Sequence, residues 1–170
     1  MEILLKYDVI VFRAINGLSN QALDLLFLFL SNVAEFGAVW IILAVILLIF
    51  GDKETKKIAL IGVLAMGLAD LVVGQFFKDI WYKPRPYLAL PDVHQLGPDR
   101  VSSTFPSGHA ANSFAGAFVL GKAKFVLGKA NKKFSLVLII LAVLIAISRI
   151  YLGMHYPSDV MAAPASTSDG

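Results

Sequence analysis

The chain has 170 residues, 58% of them hydrophobic and only 16% charged, with a mean hydropathy of +0.74. That is too apolar for a soluble domain, and the length fits one domain over residues 1–170. The absence of cysteine excludes a disulfide framework and a thiolate metal site, and the formal charge of +3 comes largely from lysines in short loops between apolar runs, a membrane-flanking pattern and not a nucleic-acid surface.

Residues 1–20 mix Leu4, Leu5, Val9, Phe12 and Ile15 with Glu2, Lys6, Asp8 and Arg13, which predicts a helix lying in the membrane interface. Acids and bases interrupt it throughout, so it is not a secretory signal. Apolar runs follow at about 22–34, 38–50, 58–77, 108–127 and 134–152. Several are shorter than the ~20 residues needed to cross a bilayer core, so flanking semi-polar residues must complete them. Glu35-Phe36-Gly37 separates the first two into distinct spans. Residues 82–105, with Pro84, Pro86, Pro91 and Pro98, form a loop, and no internal repeat is present. Asp70, an acid within an apolar run, is expected to face the bundle interior and pair with a neighbouring helix. His94 reads as a solvated loop residue.

Lysine placement predicts the orientation. Lys53, Lys56 and Lys57 in one loop, with Lys122, Lys124, Lys129, Lys132 and Lys133 in another, belong on the cytoplasmic side. Lys78, Lys83, Arg85, Arg100 and Arg149 then lie on the opposite side. Lys83 and Arg100 have two readings there, as holders of an acidic headgroup or as solvated side chains. Parity of the spans puts the end of the third run, the start of the fourth and the end of the fifth on that same outer face.

Those three places hold the chemistry. Six residues separate Lys78 from Arg85-Pro86, residues 106–109 read Pro-Ser-Gly-His, and Ser148-Arg149 precedes His155 by five intervening residues and Asp159 by three more. A phosphoryl group in transfer spreads its charge over three equatorial oxygens, so its catalyst needs fixed cations around it. Lys78, Arg85 and Arg149 supply them, the arginines through two-pronged hydrogen bonds. Pro106-Ser107-Gly108 predicts a helix start whose free N–H groups cradle an anion, with Gly108 permitting close approach and His109 in the first turn. Pro157 predicts another helix start, from which Asp159 reaches back to one His155 nitrogen and leaves the other free. Two imidazoles fit two jobs, a nucleophile and an acid for the departing oxygen.

At these eleven positions the chain resembles the type 2 phosphatidic acid phosphatase (PAP2) superfamily, whose pattern is K-x6-RP, PSGH and SR-x5-H-x3-D. The resemblance implies that His155 becomes a phosphohistidine, Asp159 orients it and His109 is the general acid. Lys78, Arg85, Ser107, Gly108 and Arg149 would bind phosphate, with no metal and no other cofactor. It implies an all-α integral membrane bundle of an N-terminal interfacial helix and five transmembrane helices, in a bacterial inner membrane with the site facing the periplasm. The partners implied are the bilayer and a lipid phosphate substrate: undecaprenyl pyrophosphate, the 1-phosphate of lipid A, or phosphatidylglycerophosphate. The weaker alternatives are a catalytically silent lipid-phosphate-binding protein and a vanadate haloperoxidase-like enzyme. The family's sixth helix is expected to be truncated after Asp159, with an atypical tail at 160–170 that leaves Asp159 poorly buttressed.

Overall fold

The computed structural model describes residues 2–80, 82–123 and 132–165, and every regular element among them is helical. The helices are α1 (Glu2–Asn16), α2 (Gln21–Val33), α3 (Ala38–Phe50), α4 (Lys53–Leu71), α5 (Lys78–Ile80), α6 (Pro86–Ala89), α7 (Gly108–Leu120), α8 (Lys132–Tyr151) and α9 (Pro157–Ala165). Lys124 and Lys129, in the segment expected to be cytoplasmic, and tail residues 166–170 lie outside the described residues.

Helices α4 and α7 pack antiparallel, and α8 returns alongside α7. Gly62 midway along α4 lies against Leu120 at the end of α7, while Asp70 near the end of α4 meets Asn112 near the start of α7. Ser135 at the start of α8 donates to the Gly121 carbonyl at 2.5 Å, closing that end of the α7–α8 pair. The packed faces are small: Ala59, Ala69, Ala110, Ala111, Ala117 and Ala142 are all buried. Small residues let backbones approach where no water drives the helices together. Gly116 shows the need, because a Cβ there would overlap the Trp40 indole, whose Nε1 donates to Ser113 Oγ at 3.1 Å. Large apolar side chains point outward instead, among them Ile42, Ile49, Leu64, Leu68 and Val137. A lipid solvent accounts for that inversion. Helix α8, with a mean hydropathy of 2.5, is long and apolar enough to cross a membrane alone.

The two N-terminal runs, expected as two separate spans, form one bent pair. The axes of α2 and α3 meet at 51°, far from the reversal that two successive spans require. Helix α2 lies across the C-terminal end of α8. Near its start Asp24 accepts from Tyr151 Oη at 2.5 Å, and near its end Ser31 Oγ accepts from Arg149. With 13 residues it is about 20 Å long, short of a ~30 Å hydrocarbon core. Helix α1 stays at the same end, where Asn16 Nδ2 donates to the carbonyls of Tyr151 and His94 at 2.7 and 2.8 Å. His94 is therefore a clasp residue, not a solvated one: its Nε2 lies 3.0 Å from Asp24 and its ring is edge-on to Tyr151. Asp70 accepts from Asn112 at 3.3 Å as expected, but it remains exposed on a cleft it shares with Gly37 and Gly67 rather than enclosed.

Candidate active site

The ends of α4, α7 and α8 and the loop after α5 bring all three motifs together. The polypeptide leaves α8 through a tight cap in which Leu152 N donates to Ser148 O, and both Met154 N and His155 N donate to Arg149 O. Gly153 makes the cap possible with φ +77°, and a Cβ there would press on Val93 and the His94 carbonyl. This turn drops His155 beneath Arg149, with both side chains buried. The second motif is tied to the third through its backbone, since Ser107 N donates to Asp159 O at 3.0 Å. Ser107 caps α7 and is buried, while a Cβ on Gly108 would meet only Val73, at 4.0 Å. The N-terminus of α7 is thus open on the side where an anion would approach.

Asp159 does not bond His155 directly. Its Oδ2 is 3.8 Å from His155 Nδ1, and Thr104 Oγ1 sits between them, 2.7 Å from the carboxylate and 3.1 Å from the imidazole. A hydroxyl has one proton, and the short contact to a carboxylate takes it. Thr104 therefore accepts from Nδ1–H, which leaves the Nε2 lone pair of His155 free. That nitrogen faces Arg85 Nη1 at 3.5 Å. Burial pushes the His155 imidazolium down to about 4 against the pull of Asp159, and the Arg149 and Arg85 charges add to the fall. The ring is neutral at pH 7.

Asp159 is fully buried and firmly held, contrary to the expectation of a poorly buttressed carboxylate. Its Oδ2 also accepts from Tyr156 N at 2.7 Å, and its Oδ1 is 2.8 Å from Lys83 Nζ. Lys83 in turn reaches Asp8 of α1 at 3.0 Å and Ser158 Oγ at 3.0 Å, and lies over the Tyr156 ring. Asp8 completes the clamp by accepting from Ser158 N at 2.8 Å. Lys83 is neither a headgroup ligand nor solvated; it neutralises two buried carboxylates.

The remaining cations differ in how free they are. Arg85 is buried and nearly saturated, donating to Ser102 O, Ser102 Oγ, Met154 O and Ser103 O as well as facing His155. Arg149 donates to Ser31, and its Nε is buried with no partner. Lys78 follows a wide π-helical turn over Val72–Phe77, half-buried, and has no hydrogen bond or ion pair among the described residues. His109 lies in the first turn of α7, its Nε2 3.2 Å from Glu35 Oε2. That contact is off the hydrogen-bond axis, so Nε2 is buried without an aligned partner. Glu35 also pairs with Arg100 at 2.6 Å.

Sequence reasoning missed Thr104, Asp8 and Glu35 as parts of this site, and it did not foresee the pairing of Lys83 with Asp8 and Asp159. The one signal for Thr104 was its position just ahead of Pro106-Ser107-Gly108-His109 in a loop otherwise constrained by prolines.

An all-helical apolar bundle with buried imidazoles, a buried carboxylate and convergent cations at one end defines a membrane phosphatase of phosphate esters. The sequence comparisons agree: the PAP2 superfamily model matches residues 58–165, and the chain belongs to that superfamily of lipid phosphatases. It is 34% identical over 153 residues to the undecaprenyl-diphosphatase BcrC of Bacillus subtilis, covering 89% of this chain and 74% of that protein. It is also 34% identical over 160 residues to an undecaprenyl-diphosphatase of Sulfolobus acidocaldarius, covering 92% and 71%. The crystal structure of Aquifex aeolicus LpxE superposes with a TM-score of 0.74 at 28% identity, over 94% of this chain and 88% of that one.

Proposed function

We propose that this protein removes the terminal phosphate of a polyprenyl diphosphate such as undecaprenyl diphosphate, through a phosphohistidine on His155, without a metal. The observation that carries the reading is the Thr104 relay, which pins Nδ1–H of a buried neutral His155 and points Nε2 at Arg85. In the first step Nε2 attacks the terminal phosphorus, and the P–O bond to the lipid phosphate breaks with its electron pair on the bridging oxygen. His109 gives that oxygen its proton. Arg149, Lys78 and the open N-terminus of α7 hold the equatorial oxygens, and Asp159 balances the charge that His155 acquires. Water activated by neutral His109 then cleaves the P–N bond and releases phosphate.

The two relatives named undecaprenyl-diphosphatase, each 34% identical to this chain, support a diphosphate substrate. Lipid A 1-phosphate and phosphatidylglycerophosphate are the competing choices. Lys53, Lys56 and Lys57 lie at the far end of α4 from Lys78, which supports a cytoplasmic face there and a site on the periplasmic side of a bacterial inner membrane. Metal independence is supported by Asp159, whose oxygens are already committed to Lys83, Thr104 and Tyr156 N, whereas Mg²⁺ requires free hard oxygens. The test is phosphate release by the purified protein from those three lipids, with excess chelator. Fastest release from undecaprenyl diphosphate, undiminished by chelation, is expected. Preference for another lipid, or loss restored by Mg²⁺, would overturn the reading.

A further inference from the structure

Between α2 and α3 a single tight turn spans Glu35–Gly37. Phe36 and Gly37 both take left-handed backbone, with φ of 52° and 72°, which turns Phe36 outward to 85% exposure and brings the Glu35 carboxylate to the site. There the carboxylate bridges two donors from different elements. Its Oε1 is 2.6 Å from Arg100 Nη2 and its Oε2 is 3.2 Å from His109 Nε2. Neither donor is fully satisfied, since His109 Nε2 and Arg100 Nε are both buried without an aligned partner. Arg100 is also anchored for a purpose: its N–H donates to Tyr87 Oη at 2.8 Å and its carbonyl accepts from that hydroxyl at 2.9 Å. Tyr87 belongs to α6, directly after Arg85-Pro86, so the position of Arg100 is fixed to the first motif.

We infer that His109 and Arg100 form a second anion subsite, with Glu35 as its internal stand-in, and that it takes the phosphate left on the lipid when a lipid diphosphate is cleaved. The inference rests on the diphosphatase reading above and adds to it the groups that tell a diphosphate from a monophosphate. A carboxylate paired with one arginine nitrogen and set close to one imidazole nitrogen offers two oxygens and one negative charge, the same face that a phosphate presents. The proposed general acid touches this anion, and the leaving oxygen must lie where the acid can reach it. The terminal phosphoryl group sits at Arg149, Lys78 and His155, while the inner phosphate lies toward Arg100. When the bridging P–O bond breaks, the bridging oxygen keeps the electron pair and takes the His109 proton, and the product monophosphate keeps its charge opposite Arg100. Glu35, with its side chain 30% exposed on a turn, swings toward water as the inner phosphate arrives, because two anions cannot share the donors. A monophosphate lipid has no charged inner group for Arg100 to hold.

The experiment compares kcat/KM for farnesyl diphosphate and farnesyl monophosphate in the purified full chain. Arg100→Gln is expected to lose at least about 30-fold more on the diphosphate than on the monophosphate, in line with a charge-assisted contact of about 2 kcal/mol. Glu35→Gln removes the competing anion, so inhibition by non-cleavable methylenediphosphonate should tighten about tenfold more than inhibition by orthophosphate. Equal losses on the two substrates overturn the subsite while leaving the phosphatase reading intact. Wild-type protein that cleaves only the monophosphate overturns the diphosphatase reading and the subsite together. If Arg100→Gln does not fold, the Glu35→Gln arm decides: unchanged selectivity between the two inhibitors overturns the inference.

Discussion

Replacing Thr104 by valine keeps the shape of a fully buried side chain and deletes the hydroxyl that stands between His155 and Asp159. What remains is an Nδ1–H with no acceptor in hydrogen-bond range, since Asp159 Oδ2 is 3.8 Å away. A buried donor left unpaired costs about 1–3 kcal/mol, and here the cost falls on the tautomer that frees Nε2. The ring escapes it by moving its proton to Nε2 or by turning, and each response withdraws the lone pair proposed as the nucleophile. At about 1.4 kcal/mol per factor of ten, kcat should fall roughly 10- to 100-fold. The contacts proposed for Arg149, Lys78 and Arg100 do not involve the threonine, so on the proposed reading KM should change by less than about threefold and the loss should fall on the chemical step. Thr104→Ser restores the hydroxyl and should recover most of kcat. Steady-state phosphate release from farnesyl diphosphate measures both constants, and rapid quenching reports how fast the proposed phosphoenzyme forms. A Thr104→Val enzyme with wild-type kcat would mean that Asp159 orients His155 without the threonine. Serine and valine variants that lose activity equally would mean that Thr104 only fills space.

The grouping of the motif residues was legible in the sequence to the extent that it is local. Ser107, Gly108 and His109 occupy one helix start, and Arg149, His155 and Asp159 one cap and the helix after it, so fixed spacings encode their geometry. Thr104 and Lys83 differ because what they do depends on partners brought in by folding: Lys83 bonds Asp8 and Asp159 across 75 and 76 residues. No spacing records such a meeting. Asp8 was visible only as a polar residue of an amphipathic helix, a pattern that a water-facing acid produces equally well. Glu35 was visible only as a break between apolar runs. The bent pairing of α2 with α3 was hidden for a related reason. Hydropathy measures how apolar a segment is and not which way it points, so α2 read the same whether it spanned the membrane or lay across the end of α8. The contacts of Asp24 and Ser31 place it against that end.

Single cysteines test the orientation in this cysteine-free chain: Val101→Cys, in the exposed loop beside the site, should react with an impermeant thiol reagent in intact cells, and Lys56→Cys should not. The reverse pattern would place the site in the cytoplasm. His155 predicts a pH dependence of stability. Its folded-state value of about 4 lies below the usual 6.5, so the unfolded chain takes up a proton first, and stability present above pH 6.5 drains away as pH falls toward 4. The loss approaches about 3 kcal/mol, and His155→Gln should lack it; parallel melting profiles for the two proteins between pH 4 and 7 would refute the assignment. The last prediction concerns the clamp beneath the site. Lys83→Met strips the cation from two buried carboxylates, Asp8 and Asp159, and breaking a buried pair from one side costs about 3–5 kcal/mol because the remaining charge is uncompensated. Asp8→Asn added to Lys83→Met removes one of those two charges while the amide oxygen still accepts from Ser158 N. The double variant should therefore be more stable than Lys83→Met alone, although it carries one more substitution. Asp159 remains unpaired with Lys83 in both, so activity should stay low while stability recovers. Thermal unfolding in detergent read beside phosphate release separates the two effects, and a double variant no more stable than the single one would show that Asp8 and Lys83 are not coupled.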